Sequence, residues 1–259
     1  MMFYYLKLTV KEGFFLYQKI VTAFLLLGLL SSFLFTSCSR TEGTDPANTD
    51  VAQPAEAQES ASPNEMDGEF YLGETVFIGD SRTNGLLTYR YLPPEQVFAI
   101  DGSTQKSIRE QEFIQLEPNG PFLSVEEAVK ERQPHRILIA FGVNAIPLMS
   151  EEEFMKEFEI LIDELTSASP DSKIVIQSIL PVSWWKHETM QYLTNENIDH
   201  FNDLLKQYCT ENSYTFFDVS DEFKGEDGSL DPQYDAGDGL HFNQSFYQKY
   251  IQLLVEQHP

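Results

Sequence analysis

Short, nearly continuous apolar segments run from Thr75 to Ile78, Val97 to Ile100, Ile137 to Phe141, Ile174 to Ile179 and Thr215 to Val219. Segments this short that are apolar at consecutive positions read as strands buried on both faces. Between them, apolar residues recur at helical spacing, most clearly through Phe154, Phe158, Leu161, Ile162 and Leu165. Two helix starts have the form of a capping box, Ser124 with Glu127 and Ser150 with Glu153, in which serine and glutamate reciprocally satisfy amides that the first turn leaves unpaired. Further helices are expected from Asn195 to Cys209 and from Ser245 to Val255. Strands alternating with helices predict an α/β domain, a three-layer α/β/α sandwich around a central, mostly parallel five-stranded sheet. In such sheets functional groups gather beyond the carboxyl ends of the strands.

The pattern changes before residue 69. Lys7, Lys11 and Lys19 precede an apolar run from Ile20 to Phe35, which ends on Thr36, Ser37 and Cys38. This is the layout of an export signal. The run falls short of the roughly 20 residues that a spanning helix needs. Phe35-Thr36-Ser37-Cys38 resembles a bacterial lipobox, in which the chain is cut before a cysteine whose thiol is lipidated, with Phe35 where leucine is usual. An uncleaved signal anchor is the alternative. Either places the remainder outside the cytoplasm, membrane-tethered or secreted. Residues 39–68 are rich in Ala, Pro, Ser, Thr and acid and almost free of large apolar side chains. Such a segment cannot offset its ordering entropy by burial, so it is expected to be a disordered acidic linker. The organisation expected is thus 1–38 export segment, 39–68 linker and 69–259 catalytic domain.

The net charge is −24 over 259 residues, which argues against nucleic acid and other polyanions as ligands. It selects no substrate. Of the two cysteines, lipidation of Cys38 would leave Cys209 unpartnered, and its place beside Phe201, Leu205 and Tyr208 in a helical pattern marks it as a buried structural thiol.

Three candidate sites each follow a strand. In Val76-Phe77-Ile78-Gly79-Asp80-Ser81-Arg82-Thr83 a strand ends in glycine and acid, and a serine opens a helical segment. Alone this is weak evidence, because Asp and Ser favour any helix start. Ala140-Phe141-Gly142-Val143-Asn144 presents an amide that could donate to an oxyanion or simply form a turn. Asp238-Gly239-Leu240-His241 follows the last strand and precedes the final helix. A serine hydroxyl needs an adjacent base, and the base needs an acid to fix its tautomer; an Asp and a His three apart on a tight turn can supply both.

Together and in this order the three resemble the SGNH or GDSL hydrolase family, whose motif residues are here Ser81, Gly102, Asn144 and His241, and the resemblance covers essentially the whole domain from Thr75 onward. It implies a flavodoxin-like fold and a mechanism in which His241 takes the Ser81 proton and Asp238 orients His241. The Ser81 and Gly102 amides and the Asn144 side chain would hold the oxyanion. The family name implies Leu after the serine, whereas this chain has Arg82, which could bind a polar or anionic substrate group or lie exposed on the helix. Trp184 and Trp185, after the fourth strand with His187 nearby, could stack on a sugar ring, clamp an acyl chain, or pack their loop onto the core. Asp227, Asp231, Asp235 and Asp238 lack the ligand spacing of a calcium loop, so no metal and no cofactor is expected.

The reading is an extracytoplasmic serine esterase acting on small acyl esters, with O-acetyl groups on envelope or extracellular carbohydrate favoured by the location. The alternatives are an O-acyltransferase using the same site, or a catalytically inactive binding protein of the same fold. The oligomeric state is left open.

Overall fold

The computed structural model describes residues 63–259. The export segment, Cys38 and the linker to residue 62 lie outside the described residues. Among those described, no helix is long and apolar enough to cross a membrane.

Five strands, β1 (Thr75–Gly79), β2 (Val97–Ala99), β3 (Arg136–Ala140), β4 (Lys173–Gln177) and β5 (Thr215–Phe217), form one sheet in the order β2-β1-β3-β4-β5. Every pairing is parallel. The consecutive apolar residues are explained by strand alternation. Val76, Ile78, Ile137, Ile139, Ile174 and Ile176 enter one core, and Phe77, Leu138 and Val175 enter the other. The first core is closed by α3 (Val125–Arg132), α4 (Glu151–Ala168) and α5 (Asn195–Asn212) through Val129, Phe158 and Leu205. The second is closed by α1 (Pro63–Gly73), α2 (Ser81–Thr88) and α6 (Gln244–Gln257) through Tyr71, Leu86 and Phe246. The result is the expected three-layer sandwich.

Local departures have identifiable causes. Ser124 and Glu127 form the full reciprocal capping box, whereas at α4 Ser150 caps the Glu153 amide without a return bond from the Glu153 side chain. The fourth strand stops at Gln177, two residues earlier than its apolar pattern. Beyond it Asn202 of α5 takes over the backbone of Ile179, accepting from its N–H at 2.6 Å and donating to its C=O at 2.9 Å. The fifth stops at Phe217 because the N–H groups of Val219 and Ser220 donate to the Ser178 hydroxyl, both at 3.0 Å. Helix α1 begins at Pro63, inside the segment expected to be linker. Tyr71 anchors it: the ring is buried and stacks on His258 at 5.1 Å, and the hydroxyl donates to the Pro259 carbonyl at 2.9 Å. Cys209 is buried, and burial pushes its thiol up to about 12.

Asn202→Ala leaves two buried backbone groups of Ile179 unpaired and is expected to lower unfolding free energy by on the order of 3 kcal/mol, measurable by urea denaturation.

Candidate active site

The order β2-β1-β3-β4-β5 reverses direction at β1, which makes the gap between the carboxyl ends of β1 and β3 the switch point where ligands bind in open parallel sheets. Helix α2 leaves β1 over one face and α4 follows β3 over the other. Ser81 and Asn144 therefore flank the crevice.

The turn out of β1 requires Gly79, where an added Cβ would lie 2.0 Å from the Thr83 hydroxyl and 2.6 Å from the Ala140 carbonyl oxygen. Asp80 then caps α2, its Oδ1 accepting from the Arg82 amide at 2.9 Å. Ser81 becomes the first helical residue. Its hydroxyl lies 2.9 Å from His241 Nε2, and His241 Nδ1 lies 2.6 Å from Asp238 Oδ2. A proton on Nδ1, donated to the carboxylate, leaves Nε2 to accept from the serine. The other carboxylate oxygen, Asp238 Oδ1, accepts from the amides of Leu240 at 2.9 Å and His241 at 2.8 Å. Burial alone would raise the Asp238 pKa, but the bonds from the His241 side chain and from the His241 and Leu240 amides hold it well below the usual carboxylate range.

The segment carrying this pair is shaped by neighbouring acids. Asp235 Oδ1 accepts from the Gly237 and Gly239 amides at 2.7 and 3.0 Å, and its Oδ2 accepts from the Ser183 hydroxyl at 2.9 Å. Asp227 and Asp231 close local turns on Ser229 and Gln233. The acids that could be weighed for a metal are thus committed to the backbone of the loop. Among the described residues no group of three potential ligands is placed to hold a metal ion.

Asn144 Nδ2 donates to Asp80 Oδ2 and to the Ser103 carbonyl, both at 3.1 Å. It thereby links the Ser81 turn to the loop after β2. Gly102 lies in that loop at φ +75°, in a turn closed by the Ser103 amide on the Ile100 carbonyl at 3.2 Å. This left-handed conformation favours glycine, which lacks a Cβ. Asp80, legible in the sequence only as a helix cap, also holds the Asn144 amide. Burial raises its pKa to about 6, opposed by Arg82 and the bond from the Arg82 amide.

Arg82 is neither a surface arginine nor free for a substrate. It is 8% exposed, with Nε donating to the Leu240 carbonyl at 2.9 Å, Nη1 to Leu180 at 2.8 Å and Nη2 to Pro181 at 3.1 Å. Its carbon lies 4.6 Å above the Phe242 ring. This corrects the substrate-binding expectation: the guanidinium is spent on carbonyls that converge from distant parts of the chain. The tryptophans separate as well. Trp185 supports the Asp238 turn, since a Cβ on Gly239 would come within 2.7 Å of its ring. Trp184 is 65% exposed, and its carbonyl accepts from His187 Nδ1 at 2.8 Å.

The model of the GDSL-like lipase/acylhydrolase family matches residues 77–249. The chain belongs to this family. It is accordingly an ester-hydrolysing serine hydrolase, and the family's fold is the one described above. A search of curated proteins finds no match. Among solved structures, a GDSL-like lipase from Bacteroides thetaiotaomicron is similar at 19% identity and TM-score 0.56, covering 76% of this chain and 98% of that one. A putative acylhydrolase from Bacteroides fragilis is similar at 20% identity and TM-score 0.56, covering 70% and 84%. A catalytic mutant of an acetylxylan esterase from Geobacillus stearothermophilus is similar at 17% identity and TM-score 0.50, covering 71% and 92%.

The two buried or bonded acids of this GDSL-like hydrolase link pH to stability with opposite signs. Asp238 takes up a proton less readily folded than unfolded, so its stabilisation is complete above the ordinary value of 3.8 and lost as pH falls below it. Asp80 takes one up more readily folded, so its contribution is complete below 3.8 and lost as pH rises to about 6. In thermal unfolding across pH, the deficit of Asp238→Asn relative to wild type is expected to narrow on acidification below about 4, and Asp80→Asn to gain on wild type between about 4 and 6.

Proposed function

We propose that this hydrolase is an extracytoplasmic serine esterase that removes small acyl groups, O-acetyl groups on envelope or extracellular carbohydrate in particular, with Ser81 as nucleophile. The observation that carries the reading is the continuous hydrogen-bond chain from Asp238 through His241 to Ser81. In this mechanism His241 Nε2 takes the Ser81 proton as Oγ attacks the ester carbonyl. The tetrahedral oxyanion is held by the amides of Ser81 and Gly102 and by Asn144 Nδ2, one of whose present bonds, to Asp80 or to the Ser103 carbonyl, is exchanged for it. His241 then passes its proton to the departing alkoxide, leaving an acyl-serine. Water, deprotonated by the same nitrogen, releases the acid and restores Ser81. Asp238 stays ionised throughout and stabilises the imidazolium, as in other triads.

Three features support the substrate class and location. The resemblance in fold to an acetylxylan esterase is one. The exposed ring of Trp184, on the loop whose next residue braces the Asp238 turn, is another, since an indole face stacks on sugars. The export-like segment ending at Cys38 is the third, and it is consistent with a lipid tether at the cell surface.

Hydrolysis of 4-nitrophenyl acetate by the wild type, and its loss by on the order of a thousandfold or more in Ser81→Ala, tests the nucleophile. Unchanged turnover in that variant would remove Ser81. Asn144→Ala is expected to fold and to lose about 2.7 to 4 kcal/mol of transition-state stabilisation. With acetylated xylan oligosaccharides, Trp184→Ala is expected to raise KM while leaving hydrolysis of the nitrophenyl ester intact; equal KM on the oligosaccharide would place the ring outside the binding surface.

A further inference from the structure

Arg82 stands where the family name implies leucine, and its geometry gives it work beyond filling space. It is covalently the next residue after Ser81, and its Nε holds the carbonyl of Leu240, the residue before His241. The nucleophile and the base are thus joined through one side chain. The other two guanidinium nitrogens hold Leu180 and Pro181, where the chain leaves β4. A few residues on, Ser183 donates its amide to the Gly239 carbonyl at 3.0 Å and its hydroxyl to Asp235 at 2.9 Å. The circuit closes: Arg82 to Leu240, Gly239 to Ser183, and back through Pro181 to Arg82.

The hydrogen bonds of this buried guanidinium all go to carbonyls, and the carboxylate that acts on it most, through space, is Asp80. Carbonyl dipoles, the face of Phe242 and the charge of Asp80 compensate its charge, while its own carbonyl is fixed by the Tyr247 hydroxyl of α6 at 2.8 Å. Three carbonyls met by one planar fork is an arrangement that neither leucine nor a single ammonium reproduces.

We propose that Arg82 is a positioning residue of the hydrolytic site: by clamping the Leu240, Leu180 and Pro181 carbonyls, its guanidinium fixes His241 at hydrogen-bonding distance from Ser81. This rests on the assignment of Ser81 and His241 as nucleophile and base. The guanidinium is committed to three backbone carbonyls and bonds none of Ser81, His241 and Asp238, so its removal is expected to act on turnover rather than on binding. Displacement of a catalytic group by about 1 Å costs on the order of a hundredfold in rate.

The test compares Arg82→Lys, Arg82→Leu and Arg82→Ala with Ser81→Ala and wild type, below the unfolding temperature of each. The readouts are kcat and KM on 4-nitrophenyl acetate and the inactivation rate by a fluorophosphonate. Arg82→Leu is expected to lose about a hundredfold in kcat and in inactivation rate, with KM changed by less than about threefold. Arg82→Lys should fold and lose about tenfold, because one ammonium cannot span the three carbonyls. Added guanidinium ion should restore part of the Arg82→Ala turnover. A folded Arg82→Leu with wild-type kcat overturns the proposal, as does a raised KM with kcat retained, which would make Arg82 a substrate contact. If Arg82→Leu does not fold, Arg82→Lys decides, and wild-type kcat in it overturns the proposal. Persistent hydrolysis in Ser81→Ala would instead overturn the nucleophile assignment, whatever the Arg82 variants do.

Discussion

The hydrogen bond between Ser81 and His241 joins residues 160 positions apart in the chain, and the architecture around it can be understood as the means of keeping it. Ser81 is easily fixed, since it opens a helix that begins where a strand buried on both faces stops. His241 is harder, because it lies on a segment without regular secondary structure, and irregular backbone has to be held by side chains. Asp235 and Asp238 do this by accepting from amides of the same segment. Asp238 therefore orients the imidazole with one oxygen and builds its own turn with the other. The strong negative charge of the chain is in this region a set of turn-forming acceptors rather than a field aimed at a substrate.

Two buried charged groups lie on either side of Ser81 in the sequence and act in different directions. Asp80 reaches Asn144 and, through it, the Ser103 carbonyl, linking the ends of β1, β2 and β3. Arg82 reaches forward to the ends of β4 and to the histidine loop. Burial weakens the hold of each on its charge, raising Asp80 to about 6 and lowering Arg82 to about 10. Each is retained because it satisfies several backbone or amide groups at once, and burying those groups unpaired would be costly.

How much could be read without coordinates varied with the range of the interaction responsible. The strands were legible because each one faces two cores, so that Val76, Phe77 and Ile78 are all apolar though they point to opposite sides. The start of α3 was legible because its capping partners, Ser124 and Glu127, are three residues apart. The ends of β4 and β5 were not, since Asn202 and Ser178 reach them from 23 and 41 residues away. Nor was the helix from Pro63, which depends on Tyr71 meeting His258 and Pro259 at the other end of the domain.

The sequence by itself determined the layered α/β class, the family resemblance, and the serine, asparagine, aspartate and histidine proposed to carry the chemistry, because those follow from hydrophobic periodicity and from short motifs at strand ends. Tertiary structure alone decided what Asp80, Arg82, Trp184 and Trp185 touch. No local pattern could decide it, because whether an arginine beside a serine meets solvent, substrate or three carbonyls depends on where residues 180, 181 and 240 come to lie.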